Sequence, residues 1–188
     1  MSDLEAYRAK ARAWLESMAP EYGRDERRGL SEIETLALSR RYQRAKFDAG
    51  YAGISWSPDF GGQGLSHLEQ MAFAAEEVKF GMPTTFFGVS LGMPVPILIR
   101  HGDPEFARER AIAALKGEEI WCQLFSEPSG GSDVGAVRTR ATQDGNGWLI
   151  NGQKVWTTWA QYCDYGVIVV RTDPTVPKHR GTPISGSI

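Results

Sequence analysis

The chain has 188 residues, of which 41% are hydrophobic and 23% charged, values that are typical of a soluble globular protein. Its formal net charge of −2 gives no electrostatic reason to expect nucleic acid as a partner, and no apolar run approaches the ~20 residues that span a membrane. The absence of a secretory signal and the apolar surroundings of Cys122 and Cys163 favour a cytoplasmic protein with reduced thiols. The three histidines lack metal-ligand spacing, so we expect no metal site.

The first part of the chain predicts helices that begin at recognisable caps. In a capping box, a serine accepts a backbone N–H and a glutamate three residues later reaches back. The boxes are Ser2 with Glu5, Ser31 with Glu34, and Ser66 with Glu69. We expect their helices to stop at Pro20, near Gly50 and at Gly81.

Two further segments complete this predicted helical region. Asp103 and Pro104 form an N-cap and a first-turn proline for a helix that ends at Gly117. The apolar stretch from Phe86 to Ile99 predicts a buried helix with broken ends. The glycine-rich stretch 50–64 is either a structured connection or a binding loop, and the structural interpretation is favoured.

Beyond Glu119 the pattern changes to short strands rich in β-branched and aromatic residues. The predicted strands are Trp121–Phe125, Val137–Ala141, Trp148–Ile150, Lys154–Thr158 and Tyr165–Arg171. The turn sequence DGNG at 144–147 lies between two of them. We therefore predict an α+β chain, with an all-α helical domain at 1–119 and an incomplete antiparallel β-barrel-like domain at 120–188.

Two turn segments in the β region carry the functional signal. WCQLFSEPSGGSD runs from Trp121 to Asp133, and NGQKVWTT runs from Asn151 to Thr158. Gly130 and Gly131 do not form a Rossmann fingerprint, because they follow a proline and lead towards a strand rather than a helix. Judged alone, the first segment could equally be a hairpin-like connection.

Together, the two segments offer an indole, hydroxyls, and glycines that allow close backbone approach. If 154–158 is a strand, Trp156 and Thr158 share one face. Such a face suits a flat ring with polar edges better than it suits a hydrocarbon core, although Trp156 could also fill the core of the β region. The residues alone thus indicate a flat heteroaromatic ligand.

These motifs resemble those of the acyl-CoA dehydrogenase family. Residues 123–133 are similar to its flavin-and-substrate signature, 151–158 to its second flavin segment, and 50–64 with Glu76 and Glu77 to the loop and helix of its N-terminal domain. The resemblance covers residues 1–181. After Trp156 the sequence departs from the commoner family pattern. The residues here and around 123–128 resemble more closely those of bacterial members that take bulky or unusual acyl chains.

The resemblance implies an FAD site and names its residues. Gln123, Leu124, Phe125 and Ser126 would line the flavin, with Ser126 hydrogen-bonded to the pyrimidine end. Ser132 would lie where FAD meets the acyl-CoA substrate. Trp156 and Thr157 would contribute to the ring pocket, with Trp156 packed on the ring. Thr158 would present its hydroxyl or N–H near N5 and O4.

The resemblance also implies the reaction. In this family a glutamate removes the α-proton of an acyl-CoA thioester while the β-hydride passes to flavin N5. This oxidoreductase reaction belongs to β-oxidation and other fatty acid or lipid catabolism. Electrons then leave through an electron-transfer flavoprotein, and full-length members form homo- or hetero-oligomers, dimers or tetramers.

Family members continue for about as many residues again, with a C-terminal domain that carries the catalytic glutamate. We therefore identify no catalytic residue here and expect a truncated, frame-shifted or fragmentary dehydrogenase without turnover of its own. Glu127 precedes Pro128 in a tight turn and is expected to hold that turn. Two alternatives stay open: a flavoprotein oxidase or monooxygenase on the same scaffold, and a non-catalytic flavin-binding or assembly subunit that partners a complete homologue.

Overall fold

A computed structural model describes residues 3–129, 131, 136–173 and 175, together with the backbone of 184–187. Six α-helices occupy the first part of this described chain and five β-strands the second. The helices are α1 (Asp3–Tyr22), α2 (Glu32–Asp48), α3 (His67–Phe80), α4 (Thr85–Gly92), α5 (Pro94–His101) and α6 (Pro104–Leu115). The strands are β1 (Trp121–Leu124), β2 (Arg140–Asp144), β3 (Gly147–Asn151), β4 (Tyr165–Val169) and β5 (Ile184–Ser187). The predicted α+β architecture is confirmed.

Side-chain caps start three of the helices as predicted. Capping boxes open α2 at Ser31 and α3 at Ser66, and the carboxylate of Asp103 accepts two backbone N–H groups at the start of α6. Ser2 lies outside the described residues. Gly81 ends α3 in the left-handed conformation, with φ of 61°, which a glycine adopts without steric cost.

The predicted end of α1 at Pro20 is wrong, because the helix continues to Tyr22. A proline in the last turn removes only one hydrogen bond, and the next residues can still donate to carbonyls one turn back. Tyr22 is buried, and its ring lies 5.4 Å from that of Tyr42 in α2. This packing stabilises the extra turn.

The apolar stretch 86–99 forms two short helices instead of one. The break falls at Met93, whose φ of −145° is not helical, immediately before Pro94. A proline is favourable in the first turn of a helix and unfavourable in its interior, so Pro94 begins α5 and prevents α4 from continuing.

Two predicted strands differ from the structure. The strand expected at 137–141 begins only at Arg140, because the N–H groups of Arg138 and Thr139 donate to a carboxylate instead of a neighbouring strand. The segment 153–157 is irregular and contains no strand. Trp156 has φ of 59°, a left-handed conformation that interrupts any extended run.

The described strands form two small sheets and no closed barrel. One sheet has the order β1–β4–β5, and β2 pairs with β3 in an antiparallel hairpin. β4 and β5 are antiparallel, but β1 pairs with β4 in parallel, with Cys122 opposite Gly166. The forty residues between β1 and β4 are ample for the crossover that parallel pairing requires.

Aromatic packing joins these elements. Tyr51 stacks on Phe73 with ring centroids 4.7 Å apart, which pins the start of the 50–64 connection against α3. Trp121 of β1 is buried against α5 and α6. Phe86 of α4 lies 4.4 Å from the ring of Trp159, so the helical region also holds the segment that follows residue 158.

No helix in the described part of the chain combines the length and apolarity needed to cross a membrane. Cys122 is buried and Cys163 half-buried, and both are free thiols.

Candidate functional site

The two motif segments lie side by side. The backbone N–H of Val155 donates to the carbonyl of Ser126 over 2.9 Å, and the Lys154 ammonium donates to the carbonyl of Phe125 over 3.1 Å. These bonds connect the end of β1 to the irregular segment that carries Trp156. The structure therefore brings residues 125 and 126 next to 154 and 155, which directly precede Trp156 and are about thirty residues away in sequence.

A buried carboxylate holds this junction. Glu127 Oε2 accepts from the Arg138 N–H over 2.6 Å, and Oε1 accepts from the Thr139 N–H over 2.8 Å. The Lys154 ammonium lies 2.9 Å from Oε1, and both side chains of this ion pair are at least nine-tenths buried. We call Glu127, Lys154 and these two N–H groups the carboxylate clamp.

The clamp also sets the charge of Glu127. Burial by itself raises the pKa of this carboxyl, but hydrogen bonds from Thr139, Arg138 and Lys154 outweigh it and lower the pKa to about 2. A carboxylate with so low a pKa is a weak base, and its oxygens already have three donors. Glu127 is therefore a structural anion, which agrees with the expected turn-holding role and extends it to two more segments.

Trp156 is the most exposed large apolar side chain in the described chain. Its indole is 90% exposed, and its backbone is left-handed, as is that of Trp159 with φ of 61°. A bulky residue in this conformation costs of order 1–3 kcal/mol and persists only where its surroundings fix it. The interpretation of Trp156 and Thr158 as neighbours on one face of a strand is wrong, since the segment is not extended.

The surroundings that fix this segment are visible on both sides. Before Trp156, the carboxylate clamp holds Lys154. After it, Trp159 packs on Phe86 and the Cys163 thiol donates to the Trp159 carbonyl over 3.2 Å. The two anchored ends leave residues 156–158 as a short bridge with its indole turned to solvent.

The predicted site residues divide into two groups. Leu124 packs against Ala141, Ile168 and Val170, and Phe125 packs against the cluster around Trp121, so both side chains are partly buried in the protein. Polar side chains at Gln123, Ser126 and Thr157 are half-buried and Thr158 is exposed. Within the described chain, the hydroxyls of Ser126, Thr157 and Thr158 make no hydrogen bond. Ser132 lies outside the described residues.

The sequence alone does not reveal the structural roles of Lys154 and Gly152 in this site. Lys154 lies two residues before the exposed indole of Trp156. Its position in the sequence does not indicate that its ammonium pairs with Glu127. Gly152 lies so close to Thr139 that an added Cβ would be 2.3 Å from its Oγ1 and 2.6 Å from its Cα. The glycine is therefore needed for close approach, not for a left-handed turn.

This arrangement fits a flat heteroaromatic ligand such as a flavin. It offers a fixed and exposed indole, hydroxyls that make no hydrogen bond to another described residue, and backbone from the end of β1. Within the described part of the chain, no cluster of His, Cys, Asp and Glu side chains could hold a metal ion.

Comparison with known proteins identifies two family profiles that match the chain. The profile of the acyl-CoA dehydrogenase N-terminal domain matches residues 1–137, and that of the middle domain matches residues 122–184. The acyl-CoA dehydrogenase FadE34 of Mycobacterium tuberculosis is 38% identical over 154 residues, which cover 81% of this chain and 21% of that protein. IpdE1 of the same organism is 33% identical over 96% of this chain and 48% of its own length.

Solved structures show the same relationship. The Tcur3481–Tcur3483 steroid acyl-CoA dehydrogenase is 31% identical with a TM-score of 0.81, over 98% of this chain and 47% of that one. The ChsE4–ChsE5 complex of M. tuberculosis is 29% identical with a TM-score of 0.80, over 98% and 46%. The chain thus spans about half the length of these structures, and less of FadE34.

Proposed function

Since the chain belongs to the acyl-CoA dehydrogenase family, we propose that it forms the N-terminal and flavin-contacting part of an FAD-dependent dehydrogenase of acyl-CoA thioesters. The observation that carries this proposal is the junction of 125–126 with 154–155, held by the carboxylate clamp directly before the 90% exposed indole of Trp156. An indole fixed in solvent by a strained backbone is costly unless a ligand covers it.

The described residues can hold the flavin in distinct ways. Trp156 would pack on the ring system, Ser126 would donate to its pyrimidine end, and Thr158 would contribute a hydroxyl or N–H near N5 and O4. Thr157, Gln123, Leu124 and Phe125 would complete the pocket. Ser132 is outside the described residues, and the family resemblance implies that it would bind where FAD and acyl-CoA meet. Donors at the pyrimidine end stabilise the negative charge that gathers there on reduction.

FAD when bound supplies the acceptor for the β-hydride of the thioester. The residues of this chain would bind and orient it. Glu127 does not serve as the base, because its carboxylate is buried and holds three donors. We place the base outside the described residues.

We further infer a bulky acyl group as the substrate. Support comes from the relationship to a solved enzyme described as a steroid acyl-CoA dehydrogenase, at 31% identity. Electrons would pass from the reduced flavin to an electron-transfer flavoprotein, as the family resemblance implies.

A second candidate is a flavin-binding or assembly subunit that works in a complex with a homologue. Two of the solved structures with similar folds, Tcur3481–Tcur3483 and ChsE4–ChsE5, are named as pairs of proteins. This candidate predicts that the chain co-purifies with a complete homologue and that the pair, but not the chain, bleaches bound flavin anaerobically with acyl-CoA. If the reduced flavin reacts with oxygen instead, that result would favour the oxidase or monooxygenase alternative.

The test of the proposed site is flavin retention. The chain should be purified with FAD in all buffers, passed through a desalting column, and assayed for flavin absorbance against protein concentration. We expect retention approaching stoichiometric and a change in tryptophan fluorescence on titration with FAD. Flavin that separates completely from the chain, with unchanged fluorescence, would contradict the proposal.

A further inference from the structure

The two cysteines of the chain lie where β1 and β4 begin. Cys122 is in β1, opposite Gly166 of β4, and its sulfur would be 3.1 Å from a Cβ added to that glycine. Cys163 lies two residues before β4, and the next residue, Asp164, donates its backbone N–H to the carbonyl of Ile120 over 2.8 Å. The two thiols therefore belong to adjoining backbone segments at the end of the sheet where both strands start.

The two thiols also interact with each other. Ile120 and Cys122 project from the same face, because side chains alternate along a strand, and Cys163 packs against the hydrophobic cluster that contains Ile120. A hydrogen bond between the thiols lowers the pKa of Cys122 to about 7, against the effect of burial, and raises the pKa of Cys163. The pair thus releases one proton near neutral pH and keeps the second, so a thiolate and a thiol lie side by side.

The pair is accessible from one side. Cys122 is 5% exposed, whereas Cys163 is half-buried, so a small oxidant can reach the thiols past Cys163. Cys163 follows the short 3₁₀ turn Ala160–Tyr162 and belongs to no strand. Its backbone can therefore adjust to the narrow geometry of a disulfide, while β1 holds Cys122 in place.

Both cysteines adjoin the candidate flavin site. Cys122 immediately precedes Gln123, the first residue assigned to the flavin pocket. The Cys163 thiol donates to the carbonyl of Trp159 over 3.2 Å, directly after the bridge 156–158. A bond between the sulfurs would join β1 to the segment that anchors the bridge, and it would remove the hydrogen bond to Trp159.

We propose that Cys122 and Cys163 form an oxidation site, in which a peroxide converts the two thiols into a reversible disulfide that links β1 to the segment 159–163. The thiolate attacks one peroxide oxygen and becomes a sulfenic acid, while the O–O bond breaks and hydroxide leaves and takes up a proton. The second thiol then attacks this sulfur, and water leaves. The two thiols lose two electrons and two protons, and hydrogen peroxide is reduced to two molecules of water. A small thiol reverses the reaction by exchange.

The test is oxidation of the 188-residue chain with hydrogen peroxide, beside Cys122→Ala and Cys163→Ala. Free thiols are then alkylated in denaturant, and the digested chains are analysed by mass spectrometry. In the wild type we expect one pair of peptides joined through the two cysteines, two hydrogen atoms lighter than the separate peptides and separated again by dithiothreitol. In each variant the remaining cysteine should be trapped as a sulfenic acid by dimedone.

A second measurement tests the interaction between the reduced thiols. The rate of alkylation by iodoacetamide should report an ionisation near pH 7 in the wild type. In Cys163→Ala, which lacks the stabilising thiol, the ionisation should move to about 8.5 or above. Circular dichroism establishes that each variant keeps its helices. An unshifted ionisation would contradict the proposal, as would wild-type thiols that stay free, oxidise separately to sulfinic acids or link two chains.

The effect of the disulfide on flavin rests on the proposed function. Because the bond removes a donor from Trp159, we expect the Kd for FAD to rise at least about fivefold on oxidation of the wild type. Equal Kd values in the two states would overturn the link between the thiols and the flavin site. A chain that forms the disulfide but binds no FAD in either state would count against the proposed function and not against the oxidation site.

Discussion

Among single residues, Glu127 has the most consequential environment near the candidate site. Its carboxylate accepts from Arg138, Thr139 and Lys154, which belong to two separate parts of the chain. A carboxylate can accept several donors at once, whereas a backbone carbonyl is limited to two. Glu127 can thus connect three segments in a region that has few strands to do so.

Substitution of Glu127 by Gln tests this connection. The amide keeps the size of the side chain but leaves the buried Lys154 ammonium without a counter-charge. Breaking a buried pair in this way destabilises a protein by about 3–5 kcal/mol. Urea unfolding should show that loss, while the exposed control Glu109→Gln should stay within about 0.5 kcal/mol of wild type. Equal midpoints for the two variants would show that the clamp contributes no stability.

The clamp also predicts a pH dependence. The folded-state pKa of Glu127, about 2, lies below its ordinary value of 4.5. Its contribution to stability is therefore fully present above about pH 4.5 and is lost as the pH falls through about 2. The difference in unfolding free energy between wild type and Glu127→Gln should be constant from pH 7 to 5 and shrink below that. A difference that grows on acidification would be the opposite of this prediction.

Among the elements, α1 and α3 are joined by a second buried carboxylate. Glu76 is fully buried, and its oxygens accept from Arg8, from Arg12 over 3.0 and 3.1 Å, and from Lys79. Hydrogen bonds from Arg12 and Lys79 hold the pKa of this carboxyl well below its ordinary value. The three cations are each about half-exposed, so water shares in their solvation.

Replacement of Glu76 by Gln should loosen α1. Because its partners are half-exposed, we expect a moderate loss of about 1–3 kcal/mol. Amide hydrogen exchange should locate the effect, with faster exchange in α1 and little change in α6. The exposed Glu105→Gln variant provides the comparison. Uniformly faster exchange across all helices would indicate a general loss of stability instead of a local connection.

The helices could be predicted well because their signals are local. Ser31, Ser66 and Asp103 cap the helix that follows them, and each interaction spans only two or three residues. Pro20 does not end α1, because the burial of Tyr22 against Tyr42, a tertiary effect, decides whether the last turn forms. Met93 could have been recognised as the break, since Pro94 and Pro96 both follow it.

The β region was harder to predict because its hydrogen bonds are not local. Residues 137–139 have the composition of a strand, yet two of their N–H groups donate to Glu127, eleven and twelve residues away. Trp156 suits a strand by type and adopts a left-handed backbone instead. The two candidate segments could be named from their motifs, but only the structure showed that Lys154 and Glu127 connect them.

At the scale of the whole molecule, two surfaces are more apolar than a solvated surface needs. They are the outer face of α3, with Leu68, Met71 and Val78, and the exposed indole of Trp156. Both belong to a chain that spans about half the length of similar solved structures. We attribute the exposed indole to a flavin site, which a titration with FAD tests.

The most direct test of the flavin site is an FAD titration of the wild-type chain beside two tryptophan variants. Trp156→Ala removes the proposed ring contact, and Trp148→Ala removes another exposed indole, 52% accessible, in the β2–β3 hairpin. Stacking of a base on an aromatic side chain is worth about 1–3 kcal/mol, so Kd should rise at least about fivefold for Trp156→Ala. We predict an unchanged Kd for Trp148→Ala. Equal affinities for the wild type and Trp156→Ala would contradict the proposed site.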